Sequence, residues 1–250
     1  MKRKLLFCLS FAALLTVGCT QDINEVELTP SLGVTPQIRI EGSINQEYVS
    51  RVDDNGFCTG DQIGLFGVNY TDNNATAGDL LDSGNQVDNA RYTYDRENNA
   101  WTSSGSIYYK DAETNIDLYG YYPYSAVESV NSYLFEVQQD QSGANSMDGY
   151  SLSDFLWGKT SNVTPTEEKI TIRYNHMLSC LAVTLKEGEG FAEGEFATLK
   201  QSVLVTNTTR QATIDLATGA VTSTGDAASE GIVMKSGDSG YRAIVVPQVV

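Results

Sequence analysis

The sequence predicts an all-β protein on three observations. Apolar and polar residues alternate at a period of two in many short runs, the pattern of strands with a buried face. The runs are separated by glycine, asparagine and aspartate, and the chain holds 22 glycines in 250 residues, residues that suit tight turns. Aromatic and β-branched residues are frequent, with 14 tyrosines, and these pack well on a pleated surface.

The N-terminus carries the most specific signal. Lys2, Arg3 and Lys4 precede an apolar run over 5–17 that is short for a membrane-spanning helix. The run ends at Thr16-Val17-Gly18-Cys19, which resembles a bacterial lipoprotein signal. Small Gly18 lets a peptidase reach the bond before Cys19, and the Cys19 thiol can then be acylated. Several acyl chains on one cysteine anchor firmly where a single chain does not. Residues 1–18 are thus expected to be a signal peptide and 19–33 an acidic tether. An ordinary secretory signal with a chance cysteine is the plainer alternative.

Charge narrows the partners. The chain has 16 basic and 32 acidic residues, a net charge of -16. Removing residues 1–18 takes away three positive and no negative charges, leaving -19. Such a chain has no basic footprint for phosphates, so nucleic acid is excluded as a partner.

Residues 34–44 alternate weakly, with Ile38 and Ile40 on one side, and predict a first strand at a sheet edge. Residues 51–56 predict a polar turn. Asp53, Asp54 and Asn55 in it lack the alternate ligand spacing of a calcium loop. Residues 57–68 follow, with a tight turn at Gly60-Asp61 and then a strand. Residues 69–89 predict a long exposed loop, 91–94 a short strand, 95–99 a turn, and Ala100-Trp101 the next strand with Trp101 against the core.

Residues 107–124 read as a hairpin at the centre of an antiparallel sheet, with its turn at 111–115. Ile116 and Leu118 share one parity, with Gly120 and Tyr122. Asp117, Tyr119 and Tyr121 share the other. Pro123 ends the ladder because it has no N–H, and Gly120 leaves room for a bulge or a close neighbour.

Tyr133, Phe135 and Val137 alternate as another strand. Residues 152–158 predict a helical turn or an irregular crossing. Two strands follow over 170–185, then a glycine and acid turn region over 186–194. Later strands are expected over 199–206, 212–216, 220–222, 232–234 and 241–250. We expect one domain over 34–189 and a second, partial one over 190–250. The chain stops in an apolar run at Val249-Val250, so truncation, or a partner supplying the rest, is expected.

Chemistry is scarce. The one histidine, His176, reads as structural, and no hydrolase or zinc-protease motif is present. No metal site and no cofactor are expected. Gly158-Lys159-Thr160 fails as a phosphate loop because Phe155, Leu156 and Trp157 stand where a glycine cradle should be. Cys58 and Cys180 can pair as a disulfide in an oxidising compartment, or stand as two small buried side chains. The chain is not expected to be an enzyme.

Five segments carry a family likeness. They are Gly60-Asp61-Gln62-Ile63-Gly64-Leu65-Phe66, Tyr119-Gly120-Tyr121-Tyr122-Pro123-Tyr124, Asp154-Phe155-Leu156-Trp157-Gly158, His176-Met177-Leu178-Ser179 and Val246-Pro247-Gln248. In this order, behind a lipoprotein signal, they resemble the fimbrillin family of Bacteroidota lipoproteins. The resemblance implies two β-sandwich domains of transthyretin-like, Greek-key topology, the second incomplete here. It implies a structural or adhesive subunit of surface fimbriae, held to outer-membrane lipid through acylated Cys19. Its partners would be other fimbrial subunits joined by strand donation, and a host or bacterial surface ligand.

In this family a trypsin-like protease cuts stalk subunits at an arginine and releases the first strand. By resemblance Arg51 is the candidate and Arg39 a poorer one. A plain surface arginine in a turn is the alternative. The competing function is a surface lipoprotein that captures glycans or other ligands through the loops near Tyr70 and Tyr150.

Overall fold

The computed structural model describes residues 35–45, 56–143, 148–199, 201–237 and 240–248. In chain order the first elements are β1 (Arg39–Ile44), β2 (Gln62–Asn69), β3 (Val87–Asp95), β4 (Ala100–Ser103), β5 (Ile116–Tyr122), β6 (Tyr133–Glu136) and a one-turn helix α1 (Gly149–Leu152). Next come β7 (Leu156–Val163), β8 (Lys169–His176), β9 (Ser179–Val183), the short α2 (Glu195–Thr198) and β10 (Leu204–Val205). The last are β11 (Gln211–Asp215), β12 (Ala220–Thr224), β13 (Ile232–Val233), β14 (Lys235–Gly237) and β15 (Gly240–Val245). The all-β expectation holds.

Seven strands form the main sheet in the order β1-β8-β7-β5-β2-β3-β4. β5 is its middle strand, as the 116–122 pattern predicts. The sheet nearly closes on itself. Ile38 N–H donates to the Ile107 carbonyl at 2.7 Å and Tyr109 N–H to the Pro36 carbonyl at 3.1 Å, joining the approach to β1 to the segment after β4. The first arm of the expected hairpin therefore does not pair with β5. Its backbone is taken by residues 36–38, because closing the sheet satisfies two edges at once.

Every residue of β5 is buried, and the two parities explain why. Ile116, Leu118 and Tyr122 enter the core inside the curled sheet, which we call the barrel core. Tyr119 and Tyr121 enter a second core on its outer face. β2 divides likewise, with Ile63 and Leu65 inside and Phe66 and Val68 outside. A period of two normally separates core from solvent; here it separates two cores.

The outer core is covered by three small sheets, β12-β11-β6, β14-β15-β9 and β10-β13. Residue 190 lies between β9 and α2, yet strands from both sides of it pair: β6 with β11, and β9 with β15. The outer core thus draws on both the 34–189 and 190–250 segments.

Several boundaries move for physical reasons. β3 begins at Val87 because β2 continues to pair with it past a bulge between Leu65 and Gly67, so the exposed loop is shorter than expected. The 152–158 stretch resolves into the end of α1 and the start of β7. The 199–206 expectation shrinks to Leu204–Val205, with Leu199 and Leu204 both exposed.

Candidate functional site

β1 is an edge strand, and its pairing with β8 is the only parallel one among the described named strands. The register runs from Arg39 opposite Lys169 to Ile44 opposite Tyr174. Alternation sends Ile38 and Ile40 into the barrel core, where they are 1% and 3% exposed. Gly42 follows on the same parity. Its missing side chain admits an aromatic group: Phe57 meets Trp101 edge-on at 4.9 Å and Tyr174 at 5.5 Å between ring centroids. A Cβ on Gly42 would stand 3.2–3.3 Å from all three rings.

Polar contacts hold β1 lightly on its outer side. Arg39 and Glu167 lie 3.8 Å apart with both side chains more than half exposed, a pair worth little. Thr171 donates its hydroxyl to Glu41. Tyr92 donates its hydroxyl to the Ile38 carbonyl at 3.3 Å, and burial pushes that phenol up to about 12. Between β1 and β4 the curled sheet leaves an open seam of about 390 Å³ with Ile38, Ile40, Tyr92, Trp101 and Ser103 among its walls.

The expected site residues distribute unevenly. Gly18, Cys19 and Arg51 lie outside the described residues, as do Asp53, Asp54 and Asn55. Cys58 and Cys180 form no disulfide. Cys58 follows Phe57 of the barrel core, while Cys180 packs on the outer core with its Sγ 3.6 Å from the Tyr150 hydroxyl. His176 places Nδ1 2.9 Å from Asp154 Oδ1, with both side chains buried, which agrees with a structural role. Tyr150 is not an exposed glycan platform: it is 5% exposed and sits in the outer core.

Lys159, from the rejected phosphate loop, serves a structural pair that the sequence did not announce. Its Nζ lies 2.8 Å from Asp117 Oδ2 and 4.6 Å from the Tyr119 ring centroid. Asp117 is nearly fully buried and also accepts the Asn162 N–H at 2.8 Å. Lys159→Met is expected to cost about 2 kcal/mol, less than stranding a wholly buried charge because Asp117 keeps the Asn162 N–H. Urea denaturation measures it, and an unchanged midpoint would show that the lysine contributes nothing.

Asp61 gives a pH prediction. Its carboxylate accepts the Cys58 N–H at 2.7 Å and the Tyr122 hydroxyl at 3.4 Å. Burial outweighs both and raises its pKa above the ordinary carboxylate value. The folded chain therefore holds this proton more tightly than the unfolded chain. The stabilisation is present when Asp61 is protonated and is lost as pH rises through its raised folded value. Asp61→Asn is expected to flatten the change in thermal midpoint between about pH 4 and pH 7. A variant with the parent's pH slope would refute this.

Outside β1, a polar hollow of about 410 Å³ is walled by Tyr70, Asp72, Asn73, Lys110, Glu113 and Thr114. Asp72, Asn73 and Asn74 all adopt positive φ, at 52°, 54° and 65°. Asn74 locks this turn to its neighbour, donating to the Glu113 carbonyl and accepting from the Asn115 N–H, both at 2.8 Å. Among the described residues no group of three or more His, Cys, Asp or Glu side chains is placed to hold a metal ion.

A family model described as fimbrillin-like matches residues 50–250. A protein of Bacteroides ovatus described as "Putative fimbrium tip subunit Fim1C" is 33% identical over 113 residues, covering 44% of this chain and 19% of that protein. A protein of Bacteroides uniformis described as "Putative fimbrium subunit Fim1C" is 25% identical over 255 residues, covering 99% of this chain and 76% of that protein. The chain thus matches under a fifth of the first relative's length.

Two crystal structures share the fold. One is a "putative cell adhesion protein" from Bacteroides ovatus, with TM-score 0.61 at 18% identity, covering 86% of this chain and 79% of that one. The other, so described from Bacteroides uniformis, has TM-score 0.52 at 21% identity, covering 84% and 74%. The match over 50–250 spans most of the sequence, and the chain belongs to the fimbrillin-like family of non-catalytic structural proteins.

Proposed function

We propose that this chain is a structural or adhesive subunit of cell-surface fimbriae, anchored in the outer membrane through acylated Cys19 and joined to other subunits by strand donation. The observation that carries this is β1 itself: a parallel edge strand with apolar side chains in the barrel core. The segment holding Arg51 follows it directly in sequence. Cleavage at Arg51 would free β1 from the chain behind it. Loss of β1 would bare the N–H and C=O groups of β8 and an apolar trench. An extended segment from another subunit fills both, by main-chain hydrogen bonds and side-chain pockets. Repeated head to tail, this contact builds a filament. The transthyretin-like two-sandwich plan belongs to the same reading, which the two separate cores favour.

Mass spectrometry of the mature N-terminus in native cells tests the proposal. A diacylated or triacylated Cys19 in the unassembled form, and an N-terminus at Val52 in fibres, are the expected results. An unacylated Cys19 with β1 retained in fibres would overturn it.

The hollow beside Tyr70 favours a second reading, ligand capture at the cell surface. It combines an aromatic ring with carboxylate, amide and ammonium groups, a mixture suited to a polyhydroxylated ligand. Glycan-array binding that survives in Tyr70→Ala would remove this reading.

A further inference from the structure

The inward positions of β1 and the residue before it are Ile38, Ile40, Gly42 and the partly buried Ile44, three aliphatic side chains and one glycine on which three aromatic rings close. Beside the glycine lies the indole nitrogen of Trp101, 3.2 Å from where a Gly42 Cβ would be. That N–H is buried and has no hydrogen-bond partner among the described residues. The other tryptophan shows what a satisfied indole looks like here: Trp157 donates to the Leu216 carbonyl at 2.8 Å. A buried donor left unpaired is costly, and a group that supplies its acceptor recovers that cost.

We propose that the groove under β1 selects an incoming strand bearing serine at the Gly42 register, whose hydroxyl oxygen accepts the Trp101 indole proton. The proposal rests on the strand-exchange reading above and names the chemistry of the partner segment. Space decides among the acceptors. A Cβ at 3.2–3.3 Å from Trp101, Phe57 and Tyr174 is tight, and the neighbours must give by a few tenths of an ångström. Serine adds one oxygen beyond that Cβ, within hydrogen-bond reach of the indole nitrogen. Threonine adds a second branch, and asparagine a planar amide, where three rings already crowd. Alanine adds bulk without an acceptor. The full recognition pattern is aliphatic residues at the 38, 40 and 44 registers with serine at 42. The resident strand leaves a donor unpaired; the selected strand does not. This difference gives exchange its direction.

The test uses the full chain cut by an arginine-specific protease, with synthetic peptides spanning residues 36–45 that carry Gly42, Gly42→Ala or Gly42→Ser. The Gly42→Ser peptide is expected to bind about tenfold tighter than the Gly42 peptide. In a nitrogen-15 proton spectrum the Trp101 indole resonance is expected to move downfield while that of Trp157 stays. A serine peptide that binds no better than the glycine one, or that leaves the Trp101 resonance in place, overturns the proposal while strand exchange stands. If no peptide enters the groove, the exchange reading falls and takes the proposal with it.

The hydrogen bond is also testable in the uncut chain. There Gly42→Ser is expected to melt above Gly42→Ala, and the gap should vanish in a Trp101→Phe background. Should Trp101→Phe fail to fold, the indole shift in Gly42→Ser alone decides.

Discussion

Gly158→Ala is expected to lower stability by about 3 kcal/mol, a large part of what a domain of this size holds. Gly158 pairs with Gly120 across β7 and β5 near the middle of the main sheet. An added Cβ would run into the Arg173 carbonyl of β8 and stand 3.1 Å from an Ile172 methyl. The carbonyl is backbone and cannot rotate aside, so relief requires moving β8, the strand that carries β1. Gly120→Ala meets the Tyr174 hydroxyl instead. That group is the tip of a side chain, so the cost should be smaller. Gly188→Ala, where a Cβ meets open space, is the control and should be neutral. Urea denaturation of the three variants ranks them. A Gly158→Ala chain as stable as Gly188→Ala would refute the packing account of the central sheet.

Arg51→Ala is expected to cut incorporation into fibres at least tenfold while leaving the fold intact. On the strand-exchange reading, cleavage at Arg51 leaves β1 without its covalent tie to the chain behind it, held by its pairing with β8, by the bonds of residues 36–38 to 107–109 and by Ile38 and Ile40 in the core. Parallel pairing is slightly weaker per residue than antiparallel, and the outer contacts of β1 are exposed. Without the cut, β1 remains covalently tied, and its effective concentration at the groove excludes an incoming strand. The variant should accumulate as a lipidated monomer with an unchanged thermal midpoint. Normal fibres built from Arg51→Ala subunits would show that release of β1 at this arginine is not required. Arg39→Ala is the control; because Arg39 lies within β1 itself, cleavage there would leave most of that strand in place.

Much of the fold was legible because strand alternation is local. The runs at Ile63-Leu65, Tyr133-Phe135 and Ile170-Ile172-Tyr174 mark strands by residue type alone, and all three became β2, β6 and β8. Length was less legible, since a strand extends as far as its neighbour offers pairing: β3 starts at Val87 because Gly67 of β2 faces it. The residues around 108 look like a strand and serve instead as a bridge to Gln37, more than 70 positions away, a distance no local pattern encodes.

The candidate groove was half visible. Ile38 and Ile40 announced an edge strand, but its partner β8 lies about 130 residues on, and parallel pairing has no short-range signature. Trp101 was expected in the core for its size, and the unpaired state of its N–H depends on Gly42 arriving from another part of the chain. The Lys159–Asp117 pair was illegible for the same reason.

By itself the sequence determined the all-β class, the central place of 116–122 and the family likeness, because side-chain parity and turn chemistry act between near neighbours. Only the tertiary structure decided which parity faces which core, that β1 lies parallel on β8, and that an indole donor waits beneath Gly42. Those outcomes depend on which distant strands share hydrogen bonds and which side chains are left without them, and both are settled when the sheet closes.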